Sequence, residues 1–154
     1  MEDKTVFSGE VLALLRQAGW FAGRNAGDEL NYPSDISYPP AIQQVLNEYG
    51  NLRVRSTGAG VTMVRNSIEF DPSWGDQENG EDGRLRYYSD LLGTTLYPIG
   101  YIPAEALFLC LDANHHAYMA GDKLHRMGSS FAEGVSNILL GIRGKVFHEA
   151  DGYW

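Results

Sequence analysis

The chain has a single cysteine, Cys110, so no internal disulfide can staple it, which suits a reducing compartment. No apolar run approaches the roughly 18 residues that a membrane-spanning helix requires. The opening MEDKTVFSGE lacks the basic start and apolar stretch of a secretory signal, so the expected location is the cytoplasm. Positive charge is scarce too. Twelve Lys and Arg stand against twenty Asp and Glu, giving a formal net charge of −8. The bases are scattered rather than clustered as phosphate binding demands, which disfavours direct contact with nucleic acid or an anionic membrane. An acidic surface favours fast encounter with a basic partner, or simply keeps the protein soluble.

What is present is an ordinary globular composition. With 154 residues, 44% of them apolar, the chain has enough material for one core. The expectation is a single domain over residues 1–154, its core between about 8 and 148. No internal repeat and no low-complexity tract interrupts it.

Periodicity divides the chain into helices and strands. In SGEVLALLRQAGW, Ser8 is placed to cap a helix, Val11, Leu12, Leu15 and Ala18 share one face, and Gly19 ends it. Arg24 to Pro40 reads as loop, and a second helix starts at Pro40 with Ile42, Val45, Leu46 and Tyr49 inward. Then the period changes to alternation. NLRVRST, GVTMVRN, SIEFDP, TTLYPIGYIP, EALFLCLD and HHAYMA read as strands, with a short helix in GRLRYYSDLLG between the third and fourth. Ser130 opens a last helix, with Glu133 at the capping-box spacing and Phe131, Val135, Ile138 and Leu139 as its buried stripe. The predicted class is α+β: a largely antiparallel or mixed sheet of about five to six strands with flanking helices.

Chemistry is hard to find. LFLCLDANHHAYMAG places Cys110, Asp112, His115 and His116 within seven residues. Alternation sends Leu107, Leu109 and Leu111 one way and Phe108, Cys110 and Asp112 the other, and sends the two histidines apart. A tight hairpin explains the spacing, with Asp112 bonding the turn backbone and Asn114 taking positive φ. Cys110, inside a strand, is expected to behave as a small hydrophobe. A zinc site would need further convergent ligands, and the remaining histidines are His125 and His148. GAGVTMVRN and GDQENGEDGR are glycine-rich but lack phosphate-loop spacing. Glu69 and Asp71 alternate on one strand face, as a carboxylate pair or a solvated strand end. The aromatic pair Trp20 and Phe21, just past Gly19, is expected to fold back and close the core. The reading is therefore no catalytic residue, no metal and no cofactor.

One stretch stands out. EFDPSWGDQENGED, Glu69 to Asp82, holds six acids and no base around Trp74. Its plain reading is a solvated loop. Its functional reading is a partner-binding loop formed by Trp74, Asp76, Glu78, Glu81 and Asp82, with the tryptophan as anchor and the acids as steering rim.

LLRQAGWFAGR, NLRV after a proline-started helix, EFDP, LYPIG, LFLCLDANHHAYM and GVSNILLGI occur in that order from about Glu10 to Ile142. Together they resemble the SUKH superfamily of bacterial immunity proteins, in particular its third subfamily. Where a polar or acidic residue is expected after LYPIG, this chain has Tyr101. The resemblance implies an α+β fold without enzymatic activity that binds and blocks a polymorphic toxin domain, commonly a nuclease or deaminase. It carries no site residue over. Two rivals stand beside it: a general protein-interaction module on the same fold, and a small hydrolase or metal enzyme using Cys110, Asp112, His115 or His116.

Overall fold

In a computed structural model of the chain, residues 7–33, 36–74 and 83–147 are described. They form an α+β domain with helices α1 (Gly9–Gln17), α2 (Pro40–Tyr49), α3 (Arg84–Leu92) and α4 (Phe131–Leu140). The strands are β1 (Arg53–Val54), β2 (Ile68–Glu69), β3 (Tyr97–Ile102), β4 (Leu107–Leu111), β5 (Ala117–Ala120), β6 (Leu124–Gly128) and β7 (Lys145–Phe147). They lie in one antiparallel sheet in sequence order, β1 to β7, so each strand pairs with its chain neighbours.

The sheet is covered on both faces. Val11 and Leu15 of α1, Ile42 and Leu46 of α2, and Val135, Ile138 and Leu139 of α4 bury one face together with Leu109, Leu111 and Met119. Leu85 and Tyr88 of α3 bury the other with Phe108, Cys110, Tyr118 and Leu124. The alternation in β4 therefore serves two cores at once, and a strand buried on both sides reads as a near-continuous apolar run. Among the described residues no helix is long and apolar enough to cross a membrane.

The caps follow local chemistry. The Ser8 side chain accepts the Val11 N–H at 3.3 Å and starts α1. Ser130 Oγ accepts the Glu133 N–H at 3.1 Å, while Glu133 returns its carboxylate to the Ser129 N–H at 2.7 Å, one residue earlier than the usual reciprocal partner.

Three expectations need correction. LHRMG and KVF, unassigned in the sequence reading, are β6 and β7, so the sheet gains two strands. GVTMVRN is not a strand: the N–H groups of Val61, Thr62, Met63 and Asn66 go to the end of α4, described below, and those of Gly60 and Arg65 close the connection on itself. Phe21 does not close the core. It is 59% exposed, while Trp20 is buried and stacked on Tyr49 with ring centroids 6.4 Å apart.

Candidate interaction surfaces

The Asp112–His116 turn joins β4 to β5 and is built around one carboxylate. Asp112 is 2% exposed. Its Oδ1 accepts the N–H groups of Asn114 at 2.8 Å and His116 at 2.9 Å. Its Oδ2 accepts the Tyr118 hydroxyl at 3.1 Å and lies 3.2 Å from His116 Nδ1. Holding the amides on either side of His115 forces that residue, rather than Asn114, into positive φ, at 67°. The two histidines part, His116 to the carboxylate and His115 to the lining of a groove. Burial first, then the Asp112 charge and its hydrogen bond, push the Tyr118 phenol up to about 12. Cys110 is fully buried against the second core. These residues hold a turn together. Among the described residues, no three of His, Cys, Asp and Glu converge as metal ligands.

The groove that His115 lines has a volume of about 700 Å³ and runs between the Trp20–Asn25 loop and α2. Trp20 Nε1 donates to Glu48 Oε2 at 2.9 Å, and Arg24 Nη1 donates to the Glu48 carbonyl at 2.7 Å. This loop is therefore pinned to α2, and Phe21 is held outward on it.

Of the acidic segment, Asp71 and the short 3-10 turn Pro72–Trp74 are described, and Asp76, Glu78, Glu81 and Asp82 lie outside the described residues. Asp71 Oδ1 accepts both the N–H and the hydroxyl of Ser73, at 2.9 and 2.7 Å, so it caps this turn. Tyr101, where the resemblance led to a polar residue, is half-buried against Phe108 at 5.3 Å and extends the second core.

A different surface, unmarked in the sequence reading, lies in the β1–β2 connection. Val61 N–H donates to Leu140 O at 3.2 Å. Thr62 and Met63 N–H donate to Gly141 O at 2.9 and 3.0 Å, and Asn66 N–H donates to Ile138 O at 3.1 Å. The loop thus satisfies carbonyls that the end of α4 leaves open. Arg65 adds its Nε to Leu139 O at 3.0 Å and pairs with Glu10 at 3.3 Å. Met63 packs inward, yet Val61 is 71% and Val64 58% exposed. The signal available in the sequence was two valines between glycines and arginines, which alternation alone mistakes for a strand.

A family model described as SUKH-3 immunity protein matches residues 7–141. The chain belongs to this family. Neither curated proteins nor solved structures gave a match. For a SUKH-3 protein the family supports an immunity function, and immunity implies a toxin as partner in general. Within the matched span lie the Trp20 loop, the Gly58–Asn66 connection and the acidic segment.

Proposed function

We propose that this SUKH-3 protein neutralises a cognate toxin domain, a nuclease or deaminase, by binding and blocking it non-covalently in the cytoplasm. The observation that carries the reading is the family match over residues 7–141. It is supported by the fate of the chemistry-bearing residues. Cys110 is sealed in the core, and Asp112 spends its oxygens on the turn backbone, Tyr118 and His116. A binder that uses no cofactor needs surfaces rather than poised groups.

A toxin acting on nucleic acid must attract phosphates and is basic around its active site. A chain of net charge −8 is complementary to it. We place the acids Asp76, Glu78, Glu81 and Asp82 at that contact, with Trp74 as its apolar anchor. The test first asks whether an adjacent reading frame encodes a toxin, then co-expresses that toxin with this chain and scores survival. The wild-type chain should rescue growth. A quadruple Asn/Gln replacement of the four acids should slow association and flatten its salt dependence, while Trp74→Ala should speed dissociation. Failure of the wild-type chain to rescue would overturn the immunity reading; wild-type binding by both variants would move the contact elsewhere.

A further inference from the structure

The stretch RVRSTGAGVTMVRN, Arg53 to Asn66, holds three arginines and no acid in a chain of net charge −8. It presents Val61 and Val64, both more than half exposed, on a loop fixed by at least four backbone hydrogen bonds to the α4 end. Arg143 joins the same patch, because its N–H donates to Thr62 Oγ1 at 2.7 Å and its side chain is exposed. Arg55 is exposed as well, and Arg65 is balanced by Glu10. The stretch thus joins two outward valines to exposed arginines and no acid, a local excess of positive charge on an acidic molecule.

The fold has no use for this outward pair. Closing α4 employs the loop backbone and Met63, and leaves the valines in water. A partner that covers them would bury apolar surface that the folded chain leaves exposed. The loop is already ordered, so a partner would not have to pay its ordering entropy. A second copy of this chain fits poorly, because a two-fold contact of this surface with itself would set a base-only stretch against another base-only stretch.

We infer that the Gly58–Val64 loop is a docking surface for the toxin, whose matching patch is apolar at the centre and carboxylate-bearing at the rim. This rests on the immunity reading and adds a second contact to it. The loop leaves β1 and returns at β2, whereas the acidic segment leaves the far end of β2.

The test uses as probe the toxin against which the wild-type chain rescues growth, inactivated by mutation, with the full chain immobilised. Val61→Asp with Val64→Asp should weaken binding at least about tenfold, mainly through faster dissociation. The milder Val61→Ser with Val64→Ser should act in the same direction and serves if the first pair unfolds. Arg55→Glu with Arg143→Glu should slow association by about threefold or more at low salt and by less at high salt. If the wild-type chain does not bind the probe, the immunity reading falls and this inference with it. If the wild-type chain binds and all folded variants bind equally well, this inference alone is overturned.

Discussion

The Asp112–His116 turn and the Gly58–Asn66 connection both join antiparallel neighbours, yet their backbones are satisfied in opposite ways. In the turn, one side chain within the same few residues accepts two N–H groups and a tyrosine hydroxyl. In the connection, N–H groups reach across to Ile138, Leu140 and Gly141 at the end of α4. The turn is complete in a hairpin of β4 and β5. The connection takes its shape from a helix far along the chain. A surface presented by the first kind of loop exists as soon as its hairpin forms, whereas the second kind exists when the fold has closed. Binding through Val61 and Val64 would therefore report a finished molecule.

That comparison breaks most directly at Gly141. Its φ is 72°, and an added Cβ would collide with Met63 O and Gly60 Cα across the interlock. Gly141→Ala combines left-handed strain of about 1–2 kcal/mol with overpacking of about 1–3 kcal/mol, so a loss of about 3 kcal/mol or more is expected by denaturant unfolding. Amide exchange should speed up at Val61, Thr62 and Met63 and stay slow at Asn114 and His116. Equal loss of protection in both loops would mean that they are one cooperative unit, not two kinds.

The same contrast explains what could be read in the residues alone. The Asp112 turn was legible because its backbone partners lie within four positions, between alternating strands on either side. Ser8 and Ser130 were legible as caps for the same reason. The two-sided burial of β4 followed from its continuous apolar run. GVTMVRN was misread because its alternation is genuine, while the carbonyls that claim its N–H groups belong to Ile138, Leu140 and Gly141. LHRMG was missed because His125 and Arg126 interrupt its apolar pattern and pair across the sheet with Val146 and Lys145. Phe21 was misplaced because Trp20 alone satisfies the stacking position on Tyr49. Of the proposed acidic contact, Trp74 alone falls within the described residues, at the end of a turn that Asp71 caps.

On the turn side, Asp112 is the point of failure. Asp112→Ala removes the acceptor of two part-buried amides and of the buried Tyr118 hydroxyl, and should cost about 2–3 kcal/mol, the scale of weakening several hydrogen bonds to one charged group. The loss should spare the Gly58–Asn66 amides at low denaturant. Tyr118 supplies a pH signature for the same carboxylate. Its phenol titrates near 10 when unfolded and at about 12 in the fold. Its contribution is fully present below pH 10 and is lost as pH rises through about 12, since the unfolded chain releases that proton first. Two units correspond to about 2 kcal/mol after rounding down for the approximate shift. The stability slope between pH 10 and 12 should be shallower in Tyr118→Phe than in wild type. Identical slopes would mean that burial beside Asp112 does not raise the Tyr118 phenol.

The smallest expected effect sharpens the comparison from inside the turn. His115 sits at φ 67°, where a residue with a Cβ is strained by about 1–2 kcal/mol and glycine is not. Glycine also gains freedom in the unfolded chain, which takes back about 0.5–1 kcal/mol. His115→Gly should therefore raise stability by about 0.5 kcal/mol, and a β-branched His115→Val should lower it by about 1 kcal/mol or more. Asp112 bonds Asn114 and His116 through their backbone N–H groups, so neither replacement removes those bonds. The change should be confined to the turn: exchange at Asn114 and His116 slows slightly in the glycine variant, and exchange at Val61 to Met63 keeps its wild-type rate below the global unfolding limit. A destabilised His115→Gly would mean that the imidazole, which lines the groove beside Trp20 and Phe131, holds the turn by packing, and that this loop too is fixed from a distance.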